Sequence, residues 1–179
     1  MPVVFIGSAP TSLTDTVLAQ LRDAGWDVAS DESGPFDAVV VDAGLVGGQV
    51  NDTVVAELLA GARRWPFRAG DAGGGAIVVV GSRDQLGSGK RAEAAAVAGA
   101  LASVVRSLAL ELAPSQVRVN LVAPFDPSVE DVRSLLPTPV AVEDVAATVV
   151  FLADPRSSYV TGQVLYVCGG ASLLSSLSV

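Results

Sequence analysis

The sequence predicts an α/β fold, a three-layer α/β/α sandwich built on a parallel sheet of about six strands. Two observations carry that prediction. Six short apolar runs are spread along the chain, and segments with helical spacing stand between most of them. Runs this apolar belong to strands covered on both faces, as parallel strands are once crossover helices pack over them. No repeat, charge block or linker interrupts the pattern, and 179 residues suit one domain, so residues 1–179 are read as a single unit.

The elements follow in order. Residues 2–6 form a first strand ending at Gly7. Residues 11–24 place Leu13, Val17, Leu18 and Leu21 at helical spacing, with Gly25 positioned to end the helix. A short strand over 26–29 leads through turn residues 30–35 into an apolar strand over 36–41. A helix over 53–64 stops at Trp65-Pro66, because the residue before proline avoids the helical region. A glycine-rich connector, 69–75, precedes the strand 76–80. The longest helix spans 92–113 and stops at Pro114, and a strand over 117–122 follows it. Pro124, Pro127, Pro137 and Pro139 bound an irregular loop. A helix over 142–153, a strand over 163–167 and a polar–apolar tail over 171–179 complete the chain.

Composition narrows the function. Half the residues are apolar, yet no run approaches the roughly 20 apolar residues of a membrane span. The N-terminus shows no basic region or cleavage pattern, and the single cysteine, Cys168, rules out an internal disulfide. A cytoplasmic protein without a membrane partner is expected. The formal charge of −8 repels phosphate backbones, so no nucleic-acid partner is expected. With no histidine and one cysteine the chain lacks the usual metal ligands, and no metal site is predicted.

Three segments resemble the short-chain dehydrogenase/reductase (SDR) family. Residues 75–124 run GAIVVVGS, RAEAAAVAGALASVVRSLALELAP and VRVNLVAP. This resembles the family's catalytic half, and the acyl-carrier-protein ketoreductases in particular. Phe36–Gly44 resembles the strand that ends Asn-Asn-Ala-Gly, with Val41 and Asp42 at the two Asn positions. Residues 158–170 resemble the C-terminal Tyr-Ile-Thr-Gly-Gln and Asp-Gly-Gly signature, with Cys168 at the Asp. The resemblance implies a Rossmann-like fold reduced by the family's third strand and its helix. The implied strand order is 2-1-4-5-6-7 under the family's labels.

The same alignment exposes departures from the family. A Tyr-x-x-x-Lys pair stands about two helical turns before Arg-Ser-Leu-Ala in SDR proteins, and here those positions hold Ala94 and Ala98. Of the implied catalytic triad only Ser82 remains, as a vestige. The family's tyrosine needs a nearby cation to act near neutral pH, since an unassisted phenol titrates near 10. Lys90 is the only lysine, and Tyr159 and Tyr166 are the only tyrosines. Asn51, or Thr53 in a competing alignment, falls near the family's active-site Asn.

The cofactor loop is similarly reduced. Where the family carries Thr-Gly-x-x-x-Gly-x-Gly, residues 6–13 read IGSAPTSL, and only Gly7 survives. Ser8, Thr11 and Ser12 either form a modified phosphate site or, as Thr11 or Ser12, simply cap the helix. Asp31 stands where the family places an acid for the adenosine ribose, and Gly44 closes the following strand. Gly7, Asp31 and Gly44 are thus read as vestiges of a dinucleotide site. No cofactor is expected.

The long helix offers a positive clue. Val97, Leu101, Val104, Leu108 and Leu112 form a stripe expected to pack on the sheet, with small residues beside it. The resemblance implies that this helix pairs with its symmetry mate, and Ala95, Gly99, Ala102 and Val105 are the expected contacts, with Leu173 and Leu174 as a second candidate surface. The sequence leads us to expect a catalytically degenerate SDR homologue, a non-catalytic subunit that forms a homo-oligomer or pairs with an active SDR subunit. One alternative is an NAD- or NADP-dependent 3-oxoacyl-reductase-like enzyme with an atypical site around Ser82 and Asp42. Another is a small-ligand or acyl-CoA sensor using a cleft between Gly7, Gly44 and Ser82.

Overall fold

The structure, a computed structural model, describes residues 1–8, 11–45, 53–68, 74–126 and 134–174. Six strands form one parallel sheet: β1 (Val3–Ile6), β2 (Asp27–Val28), β3 (Ala38–Asp42), β4 (Ala76–Val80), β5 (Arg118–Pro124) and β6 (Val164–Val167). Their spatial order is β2-β1-β3-β4-β5-β6, which is the order expected from the reduced family plan. Among the described residues five α-helices accompany them: α1 (Ser12–Asp23), α2 (Val54–Ala62), α3 (Ala92–Leu112), α4 (Val142–Ala153) and the short α5 (Ala171–Leu174).

Alternation along the strands divides the core in two. Val39, Val41, Ile77, Val79, Val119 and Leu121 point to the face covered by α2 and α3. Val4, Val40, Val78, Val80 and Val122 point to the opposite face, under α1 and α4. The central strands β4 and β5 are buried along their whole length, as continuous apolar runs require when helices cover both faces. The missing family strand leaves β2 only two residues long at one sheet edge.

The chain fills the thinned α2–α3 face near that edge with aromatic side chains. Phe5 and Phe36 stack with centroids 5.2 Å apart. The chain after α2 returns beside them, and Phe36 and Phe67 form an isolated parallel bridge. Trp65 is buried in the same layer. A Cβ at Gly61 would collide with its indole, so the α2 glycine makes room for the ring.

Helix ends follow the local sequence. Thr11 caps α1 and forms a capping box with Thr14, the expectation weighed against a phosphate site. Gly25 follows the α1 C-cap at φ 84°, where a side chain would be strained. The C-terminus of α4 is capped from a distance by Arg118, which donates to the carbonyls of Leu152, Ala153 and Asp154. Burial pushes that guanidinium below its ordinary pKa, with the nearby Asp154 acting in the other direction.

The orientation of α3 corrects the predicted stripe. The residues sealed against the sheet include Ala94, Ala98, Leu101, Ala102, Val105 and Leu108. Val97, Val104 and Leu112 instead lie half-buried along the flank. Small alanines let the helix approach the β-branched strand residues closely, whereas the larger valines fit the groove beside it. Ala102 and Val105 therefore cannot meet a partner, contrary to expectation. The outward face is formed by Ala96, Ala100, Ser103, Ser107 and Leu110, the last 80% exposed. Ala95 and Gly99 are half-buried at its margin, and a Cβ at Gly99 would meet open space. Leu173 is exposed and Leu174 half-buried. By length and composition alone Ala92–Ser115 would suffice to cross a membrane, but α3 within it packs its buried face into the core over the sheet.

Candidate functional site

The carboxyl ends of β1, β3, β4 and β5 carry the residues singled out in the sequence. In open parallel sheets the crevice at these ends is where ligands bind. Two regions lie along it, one over β4 and β5 that aligns with the family's reaction centre and a cleft over β1 and β3.

At the reaction centre Ser82 leaves β4 and is 1% exposed. Its Oγ accepts from the Asp84 amide at 3.1 Å and caps the 3-10 turn Arg83–Leu86. A hydroxyl used as a cap, in a chain without histidine, has no activating base of the usual kind. Ala94 and Ala98 are 2% and 0% exposed. They complete the underside of α3. Tyr159 and Tyr166 are exposed.

An ionic cluster stands beside these alanines. Arg91, at the start of α3, reaches Asp126 at 2.5 Å and Asp84 at 3.4 Å. Its second terminal nitrogen donates to the Leu45 carbonyl at 2.7 Å, tying the loop after β3 to α3. Both aspartates are buried. Arg83, also buried, donates to the Ala171 carbonyl at 3.2 Å and lies over the Phe125 ring, 5.9 Å from its centroid. Buried charge requires pairing, and Arg91 ties four chain segments together, although Asp84 Oδ2 and Arg83 Nε are buried without a hydrogen bond. Sequence reasoning missed it because Arg91 and Asp126 are 35 residues apart. The available signal was charge at a helix start and a strand end inside otherwise apolar sequence.

The cleft over β1 and β3 has a volume of about 380 Å³ and is lined by Gly7, Ser8, Thr11, Asp42, Gly44, Glu57 and Trp65, among others. Gly7 and Gly44 thus come together, but Ser82 is not in this lining, so the three residues do not share one cleft. Asp42 is the hub. Its Oδ2 accepts from Thr11 Oγ1 at 2.7 Å, its Oδ1 accepts from the Gly44 amide at 2.9 Å, and its own amide donates to Ser8 Oγ at 3.1 Å. A smaller pocket of about 120 Å³ between α1 and α4 is lined by Thr11, Asp42, Pro124 and Phe125, among others.

Asp31 lies outside the cleft. It is exposed and accepts from the amide and hydroxyl of Ser33, which hold its carboxyl below the ordinary range. Thr53 precedes α2 and donates to Glu57 at 2.6 Å, while Asn51 lies outside the described residues. The other signature residues have structural work. Asn120 donates to the Val160 carbonyl at 2.8 Å and accepts from the Gln163 amide at 3.0 Å, tying β5 to the turn before β6. Cys168 is buried against Ser172. Among the described residues no group of His, Cys, Asp and Glu could hold a metal ion.

Comparison with known proteins identifies the family. A family model described as Enoyl-(Acyl carrier protein) reductase matches residues 48–172. The Short-chain reductase protein NovJ of Streptomyces niveus is 32% identical over 191 residues, covering 87% of this chain and 72% of that protein. Two proteins of Thauera aromatica are named as the BbsD and BbsC subunits of (2S)-[(R)-hydroxy(phenyl)methyl]succinyl-CoA dehydrogenase. They are 39% and 37% identical, over 56% and 61% of this chain. The matches cover 46% and 48% of those subunits, so the chain spans about half their length. The chain belongs to the short-chain dehydrogenase/reductase family. Among solved structures, a short-chain dehydrogenase/reductase from Serratia marcescens superimposes with a TM-score of 0.75. Its identity is 21%, and 96% of this chain and 97% of that one are covered. Acetoin dehydrogenase from Enterobacter cloacae gives a TM-score of 0.75 at 22% identity over 97% of this chain and 96% of that one. At these identities the likeness concerns the fold.

Proposed function

We propose that this chain is a non-catalytic SDR subunit, pairing with a second copy or with an active SDR chain through the outward side of α2 and α3. One observation carries the proposal: the positions of the family's proton-transfer pair are alanines sealed under α3. General acid–base catalysis needs a group able to carry the proton at the reacting atom, and neither methyl can. Arg91, at the start of the same helix, is engaged with Asp126, Asp84 and the Leu45 carbonyl in holding the chain together.

Pairing is supported by the small side chains on the exposed face of α3, which allow close approach of a second helix. Arg63, the residue after α2, and Glu111 of α3 link the two helices at the surface through two hydrogen bonds of 2.8 and 3.1 Å. The two Thauera relatives, each similar to this chain, are named as different subunits of one dehydrogenase, an arrangement compatible with unlike SDR chains working together. Sedimentation of the purified chain tests the reading. A dimer or higher assembly, or a stoichiometric complex with a co-expressed SDR, is expected. A monodisperse monomer that captures no such subunit contradicts it.

The names of the relatives favour a second reading, an NAD(P)-dependent oxidoreductase. It requires a proton carrier other than the Tyr–Lys pair, and turnover abolished by Ser82→Ala would support it.

A further inference from the structure

The family implies a dinucleotide lying across the carboxyl ends of β1, β3 and β4, its pyrophosphate at the N-terminus of α1. That helix end attracts anions through its free amides and dipole. In this chain a carboxylate already stands there. Asp42 accepts the hydroxyl of Thr11, the α1 cap, at 2.7 Å, and the Gly44 amide at 2.9 Å. Its backbone amide occupies Ser8 Oγ at 3.1 Å. Of the three hydroxyls that the sequence offered as phosphate ligands, Ser8 and Thr11 are therefore engaged with Asp42, while Ser12 is exposed in the first turn of α1.

Two further observations agree. Thr11 and Asp42 line both the 380 Å³ cleft and the 120 Å³ pocket, so their hydrogen bond stands between the two compartments. Gly7 retains its place, but a Cβ there would come within 3.0 Å of the Trp65 ring, so the glycine accommodates an indole. Neither Lys nor Arg is present among the described residues lining the cleft, whereas Asp42 and Glu57 are. Among the described residues the donor set does not fit a dinucleotide.

We infer that Asp42 is a built-in anion that closes the α1 N-terminus to a pyrophosphate and bars NAD(P) from this chain. This goes beyond the proposed loss of catalysis, because a non-catalytic chain could still hold a dinucleotide. Calorimetric titration with NADH and with NADPH tests it on the full chain and on Asp42→Asn, which keeps the shape and removes the charge. The wild-type protein shows no saturation up to millimolar ligand, and Asp42→Asn binds at least about tenfold more tightly, with a gain that shrinks as salt is raised. Asp42→Ser, which also opens space, is read in the same way should the Asn variant fail to fold by circular dichroism. Micromolar saturation of the wild type overturns the inference, as does a folded variant that binds no better than wild type. Sedimentation of the same samples reports on pairing separately, so loss of either result leaves the other readable.

Discussion

At the scale of single residues, Ala94 and Ala98, which align with the family's Tyr-x-x-x-Lys pair, are packing residues of the α3 underside. Ala98 is fully buried, and a lysine placed there would carry an ammonium into the α3–sheet interface. Ala98→Lys is therefore expected to lower stability by about 3 kcal/mol or more, without restoring activity. Denaturant unfolding measures the change. Arg91 is the complementary case. Removing its side chain leaves Asp84 and Asp126 without that guanidinium and frees the Leu45 carbonyl. Arg91→Ala is expected to cost about 3–5 kcal/mol, the range for breaking a buried pair by deleting one partner. A loss below about 1 kcal/mol by the same measurement would mean that solvent already screens the cluster. The vacancy at positions 94 and 98 was legible in the sequence, because an aligned motif shows what is missing. The Arg91 cluster was not legible, because its partners meet only through the tertiary fold.

At the scale of elements, local signals set the boundaries and tertiary packing set the orientations. The strand 76–80 and the helix 142–153 match their predicted spans, since each is an apolar or amphipathic run with unambiguous punctuation. The face of α3 was misread because the helix is apolar around much of its circumference. Periodicity then cannot distinguish the stripe beneath from the stripe beside it. The helix ends yield a prediction. Arg118 donates to three carbonyls at the end of α4; Arg118→Met takes this donor from that of Ala153, while Ser157 still donates to those of Leu152 and Asp154. A loss of about 1–3 kcal/mol is expected, read as a fall in the unfolding midpoint. The outward face of α3 gives the opposite expectation. Ala100→Arg changes monomer stability by no more than about 0.5 kcal/mol. It should nonetheless shift the sedimentation profile toward monomer if the face is an interface, and an unchanged assembly would place the contact elsewhere.

At the scale of the whole molecule, the fold is the SDR plan with one strand and its helix removed and the resulting gap filled by Phe5, Phe36, Trp65 and Phe67. The strand order was legible from the ordered family motifs. The closure of the crevice was only half legible: Asp42 was seen at an Asn position, but its bond to Thr11 depends on two loops meeting at the sheet's carboxyl edge. Acid should weaken this molecule in a defined window. Hydrogen bonds from Arg63 to Glu111, from Arg156 to Asp154 and from Ser33 to Asp31 hold those carboxyls below their ordinary pKa. A carboxyl with a depressed folded-state pKa contributes stability above its unfolded value, about 4, and loses that contribution as pH falls through the folded value. Thermal unfolding followed between pH 6 and about 3 should show this decline as small, because the groups lie near the surface. The most direct measurement of the central claim follows NAD(P)H oxidation by concentrated purified protein across a panel of carbonyl substrates, with Ser82→Ala as the control. The sealed, alanine-filled centre predicts rates equal to those without protein. Turnover above that background, lost in Ser82→Ala, would contradict it.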